Sequence, residues 1–171
     1  MSNDLLCRLR PLLESDLEMI LDWRNSWDVR SCMFHTDLIS MEQHRLWYTK
    51  ATSSGDRTLL VLEASNNPCG FVQFSQLADR SIATWGFYAK PGSPKGTGKQ
   101  LGRTAVSYAF RSLKLHKLCG HVLFSNDRSK RLHLTLGFEL EGVLREHHFN
   151  GSQYEDVSYF GLLASEWKQI K

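Results

Sequence analysis

The stretch from Thr84 to Leu101 constrains this chain more than any other. The aromatic-rich run Thr84–Lys90 stops at Pro91 and reads as a strand. Gly96-Thr97-Gly98-Lys99 follows, and then Leu101, Ala105, Tyr108 and Ala109 recur on one helical face. Two glycines spaced i and i+2 let the backbone turn tightly and come close to a ligand. Amides opening the helix, at its partly positive end, then form a cradle for an anion such as a pyrophosphate. Two other phosphate loops are excluded. Gly98-Lys99 is followed by Gln100 where a Walker loop needs Ser or Thr. Gly96, Gly98 and Gly102 miss the dinucleotide-binding spacing by one residue.

The rest of the chain places this loop in one mixed domain spanning residues 1–171. Leu5–Leu12 reads as a first strand. Ser15-Asp16-Leu17-Glu18 and Ser40-Met41-Glu42-Gln43 read as capping boxes opening two helices. Leu59–Glu63 and Cys69–Leu77 pair around the Asn66-Asn67-Pro68 turn. Leu118–Phe124 is a fifth strand. Asn126 caps a further helix, which Gly137 ends. Phe138–His148 and Tyr154–Leu163 form a hairpin around Asn150-Gly151. The order βααβββαβαββ predicts an α/β (α+β) fold with a mixed sheet covered by helices on both faces.

Composition narrows the partner. A net charge of +3 is too small to call for nucleic acid. Its basic residues concentrate at Lys90, Lys95, Lys99 and Arg103 and at Arg128, Lys130 and Arg131, which suits a polyanionic small molecule. No run approaches the roughly 20 apolar residues of a membrane helix. Arg8 and Arg10 interrupt the only apolar run near the start, so no signal peptide is expected there. Four scattered cysteines without a C-x-x-C pair fit free thiols in a reducing compartment, and no metal site is expected. A cytoplasmic location is the resulting expectation.

Two motifs carry a family resemblance. Ser93-Pro94-Lys95-Gly96-Thr97-Gly98 resembles the pyrophosphate motif of the GNAT acetyltransferases, with Ser93 where Gln or Arg is usual. Asn126, Ser129, His133, Gly137 and Phe138 keep the register of that family's later motif, with His133 at a position where Tyr is common. The resemblance covers nearly the whole chain. It implies a central, mostly antiparallel mixed sheet of about seven strands flanked by four helices, and direct acetyl transfer from acetyl-CoA to an amine. Asp22-Trp23-Arg24-Asn25, with Val29-Arg30, Met33, Ile39-Ser40, His44 and Trp47, resembles the branch that acetylates the 4-amino group of a UDP-linked amino sugar on the route to pseudaminic acid. Glu141–Glu146 and Tyr154-x-Asp156-Val157 are shared with enzymes acting on ribosomal-protein N-termini. A ribosomal-protein N-terminal or polyamine N-acetyltransferase and a CoA-binding module without catalysis are the alternatives.

From the resemblance, Phe87, Tyr88 and Ala89 on the fourth strand are expected to pair with the pantetheine arm, and a backbone N–H near Tyr88 to polarise the thioester. Lys95, Gly96, Thr97, Gly98 and Lys99 are expected at the pyrophosphate, Asn126 and Ser129 at pantetheine, and Lys130 or Arg131 at the 3′-phosphate. His133 is expected as general acid and His121 as general base through a water, since an imidazole titrates near neutral pH. Arg24, Asn25, Met33, His35, His44 and Trp47 are expected to meet an amino-sugar nucleotide. The last hairpin is a candidate surface for a homodimer. His147 and His148 point to opposite faces of one strand and do not easily chelate one ion.

Overall fold

A computed structural model describes residues 7–76 and 81–167. Leu5, Leu6 and Leu77, assigned above to strands, lie outside the described residues. The described elements are β1 (Cys7–Pro11), α1 (Leu17–Asn25), α2 (Trp27–Arg30), α3 (Met41–Ser53), β2 (Arg57–Ala64), β3 (Asn67–Gln76), β4 (Ile82–Ala89), α4 (Thr97–Arg111), β5 (Lys117–Leu123), α5 (Asp127–Thr135), β6 (Glu139–Phe149), β7 (Tyr154–Leu163) and α6 (Ala164–Trp167). A 3-10 turn, Glu14–Asp16, precedes α1. None of the described helices is long and apolar enough to cross a membrane.

Seven strands form one sheet in the order β1-β2-β3-β4-β5-β7-β6. Every pair is antiparallel except β4 and β5, which run parallel for only three register positions, Ile82 to Thr84 against Lys117 to Cys119. Beyond Thr84 the two strands part. That split lies at the carboxyl end of β4, where the glycine-rich loop departs.

The sheet is covered on both faces, as the apolar strand runs require. Alternation along β2 sends Leu60 and Leu62 to one face, where they join Val72, Phe74, Leu101, Ala105 and Leu118 beneath α4. Leu59 and Val61 go to the other face, with Phe71, Leu17, Ile20 and Ala51 of α1 and α3. The first of these clusters is the larger and carries α4 and α5; the second carries the N-terminal helices.

Local signals predict most element ends. Ser40 accepts the Gln43 amide at 3.2 Å and Gln43 Oε1 accepts the Ser40 amide at 2.8 Å, which completes the expected capping box. Asn126 Oδ1 accepts the Ser129 amide at 3.0 Å and caps α5. At α1 the expectation is corrected. Ser15 does not cap; it lies inside the 3-10 turn, and Asp16 accepts the Leu13 amide at 2.9 Å instead. Arg10 clamps that carboxylate, which selects Asp16 over the serine. The fold also adds α2 and α6, each a single turn of four residues, too short to show a helical period.

Candidate active site

The split between β4 and β5 opens a cleft of about 690 Å³. Gly96 sits at φ +101°, in the left-handed region that a side chain resists, and opens α4 as its N-cap. Nothing lies within 4 Å of where a Cβ would stand at Gly96 or Gly98. The amides of Gly98 and Lys99 fall in the first turn of α4, where no helical carbonyl precedes them. This bare, amide-rich lip fits the diphosphate of a coenzyme A. Thr97 lines the cleft, and its amide and its hydroxyl both donate to the Pro94 carbonyl, at 3.2 and 2.8 Å, which braces the loop.

The edge of β4 that faces the split can be assigned. The Lys90 amide donates to the Cys69 carbonyl at 2.9 Å, and the β3–β4 register is unbroken. Backbone polar groups alternate sides along a strand. The amides of Gly86 and Tyr88 therefore belong to the β3 ladder, while those of Phe87 and Ala89 face the split. The Tyr88 amide is thus turned to β3, and the backbone amides near it that face the split are those of Phe87 and Ala89. The phenol of Tyr88 packs on the opposite face against Phe71, where burial holds its ionisation well above the usual tyrosine range.

His133 is buried at 2% exposure, one turn after Ser129 on α5. Its Nδ1 lies 2.8 Å from the Ser129 carbonyl, which only accepts, so Nδ1 carries the proton. Trp85 Nε1–H donates to its Nε2 at 3.1 Å. A neutral imidazole has one N–H, and here that proton is committed to a carbonyl. Burial also depresses its pKa, disfavouring the imidazolium. The geometry opposes the expected general-acid role.

His121 differs. It lies on β5, is exposed to the cleft, and stacks on Tyr159 with ring centroids 3.9 Å apart. Desolvation first, and then the neighbouring His147, lower its pKa. An imidazole held in its free-base form at neutral pH can take a proton from an ammonium.

The expected 3′-phosphate contacts are also corrected. Lys130 pairs with Asp127 at 2.8 Å and lies over the Phe124 ring, and neither Lys130 nor Arg131 lines the cleft. Arg128, two positions earlier, does. Lys95 and Lys99 stand exposed on the loop, outside the cleft walls. Asn126 and Ser129 line it.

A second cavity of about 260 Å³ lies on the α1–α3 side and shares Met33, Gln73, Gly86, Phe87 and Tyr88 with the cleft, so the two spaces join. Arg24, His44 and Trp47 line it. Asn25 does not; both ends of its amide bond Ile39, at 2.8 and 2.9 Å, and fix the loop. Nor does His35, which offers only its carbonyl to Arg24 Nη2 at 2.7 Å. Three polar atoms in the cavity walls are buried without a hydrogen-bond partner: Arg24 Nη1, His44 Nε2 and Gln73 Oε1. Burial lowers the His44 pKa, so its partnerless Nε2 belongs to a neutral imidazole. Gln73, Trp85 and Arg128 escape sequence reading, since nothing around them forms a motif; only their place in the cleft walls identifies them.

A family model for the acetyltransferase (GNAT) domain matches residues 7–139. The chain belongs to the GNAT family. It is an acetyl-CoA-dependent acetyltransferase. It is 29% identical to the spermidine N(1)-acetyltransferase of Vibrio cholerae over 162 residues, covering 93% of this chain and 94% of the relative. It is 28% identical to the acetyltransferase PseH of Campylobacter jejuni over 122 residues, 71% of this chain and 76% of that one. The crystal structure of the Vibrio cholerae spermidine N-acetyltransferase with CoA and spermine superposes with a TM-score of 0.87 at 27% identity, covering 95% of this chain and 98% of that one.

Proposed function

We propose that this GNAT enzyme acetylates the 4-amino group of a UDP-linked amino sugar, and that the sugar nucleotide enters the joined cavities from the α1–α3 side. One observation carries the reading: Arg24 Nη1, His44 Nε2 and Gln73 Oε1 sit together, buried and unmatched, among aromatic walls. Buried polar atoms are costly unless something pairs with them. One cationic donor, one amide acceptor and one imidazole nitrogen beside the rings of Trp47, Phe71 and Tyr88 suit a ligand with a flat polar ring, hydroxyls and negative charge. The walls of the smaller cavity hold no carboxylate, and Asp28 is the one carboxylate among the described walls of the cleft. A polyamine carries several positive charges and would face Arg24 there.

Acetyl-CoA, when bound, supplies the thioester carbonyl that the amine attacks. His121 takes the ammonium proton through a water and frees the nitrogen lone pair. The Phe87 and Ala89 amides, facing the split, stabilise the oxyanion as it develops. The leaving sulfur would take up, through water, the proton that the nitrogen sheds on acylation, because the one N–H of His133 is committed to the Ser129 carbonyl.

The likeness to a spermidine acetyltransferase, over nearly the whole of both chains, favours a second reading with a polyamine acceptor. Thiol release measured with a UDP-linked 4-amino sugar, spermidine and an N-terminal peptide separates them. The sugar nucleotide is expected to exceed spermidine in kcat/KM by at least about a hundredfold, the scale set by losing a charge-assisted contact and meeting a like charge. Preferred turnover of spermidine overturns the sugar assignment. His121→Ala is expected to lower kcat by roughly 10²–10³ while leaving acetyl-CoA affinity unchanged.

A further inference from the structure

Register pairing of β4 with β5 ends at Thr84 and Cys119. The next residue on each strand is Trp85 and Gly120. Across that position the Trp85 indole reaches His133 on α5. A Cβ at Gly120 would stand 2.2 Å from His133 Nε2 and 3.2 Å from Trp85 Nε1, so the bond runs through space only a glycine leaves. We propose that Trp85 is a positioning residue for acetyl-CoA: its bond to His133 pins β4 to α5 through the gap at Gly120, and so sets the width of the split that takes the pantetheine arm. The inference rests on acetyl-CoA entering that split.

The pin is rigid because both partners are buried and caged. Phe87 of β4, Phe138 after α5 and Phe160 of β7 each bring a ring centroid within about 6 Å of the imidazole, at 6.0, 5.0 and 5.1 Å. Ser129 holds Nδ1 from the same helix, and Gly120 faces it from β5. Of these neighbours none carries a charge or titrates near neutral pH, so no carboxylate stabilises an imidazolium. Protonation would put an N–H on Nε2, facing the indole N–H, and the pin would open. Burial moves that event below the ordinary histidine range. The sign follows: acetyl-CoA affinity holds above the depressed His133 pKa and falls as the pH drops through it.

Calorimetric titration with acetyl-CoA at pH 8 and at pH 5.5 tests this in the wild type, Trp85→Phe and His133→Gln. The glutamine keeps an acceptor near Nε2 but has no proton to gain. Titration of the cofactor's own 3′-phosphate is common to all three proteins. Trp85→Phe is expected to bind roughly threefold to tenfold more weakly at pH 8, as for loss of one buried hydrogen bond. His133→Gln is expected to lose less affinity than the wild type on acidification from pH 8 to pH 5.5. The indole N–H resonance missing from Trp85→Phe spectra should move in the acid titration of the wild type alone. Wild-type affinity in Trp85→Phe, or equal acid sensitivity in His133→Gln, overturns the pin. Absence of any acetyl-CoA binding by the wild type would instead remove the assignment of the split to the cofactor.

Discussion

Arg10 and Arg24 both lie in the N-terminal third of the chain, and both are partly withdrawn from water, yet they end in opposite states. Arg10 donates to Asp16 at 2.6 and 2.9 Å and to Glu63 at 2.7 Å, and Arg8 takes the other Glu63 oxygen at 2.8 Å. Arg24 donates once, to the His35 carbonyl, and leaves Nη1 buried and unmatched. The first cluster is complete within the fold and ties β1 and β2 to the start of α1. The second leaves a donor without a partner among the described residues. A buried group without its partner marks where a fold has left room for a ligand.

Breaking each cluster should therefore give a different kind of damage. Arg10→Met leaves Asp16 without its cation and Glu63 with Arg8 alone, and is expected to cost about 3 kcal/mol of stability, roughly 10 °C in Tm, with activity per folded molecule preserved. Arg24→Met should leave Tm nearly unchanged and raise the acceptor KM roughly tenfold to a hundredfold, with acetyl-CoA affinity unaltered. A large fall in Tm for Arg24→Met would make it a structural residue like Arg10. Gln73→Leu removes a neutral acceptor from the same pocket and should raise the acceptor KM by about threefold to tenfold.

The complete cluster also predicts a pH response. The Arg10 side chain, above all by hydrogen bonding, holds both the Asp16 and the Glu63 carboxyls below their ordinary values. A depressed folded pKa contributes stability above the unfolded value, about 4, and that contribution is lost as pH falls through the folded value. Thermal melts from pH 6 down to pH 3 should show this loss in the wild type and a shallower one in Arg10→Met. The smallest effect expected is from Ser40→Ala, about 1 kcal/mol through loss of the cap on α3, which carries His44 and Trp47.

Reading these regions from sequence succeeds unevenly. The glycine loop is legible because its function resides in the backbone: Gly96 and Gly98 announce a conformation, whatever surrounds them. Caps at Ser40 and Asn126 are legible for the same reason, since each acts within four residues. His133 misleads because its position in the motif is clear, while its chemistry depends on Trp85, 48 residues away. Lys130 likewise reads as a cleft cation until Asp127 and Phe124 claim it.

The sequence by itself determined the strand order, the longer helices, the mixed sheet, the place of the glycine loop and the family, because local periodicity and backbone chemistry are written in neighbouring residues. Only the tertiary structure decided which polar atoms are matched. Arg24, His44 and Gln73 come from α1, α3 and β3, and whether each finds a partner depends on burial and on how three separated elements pack around one cavity.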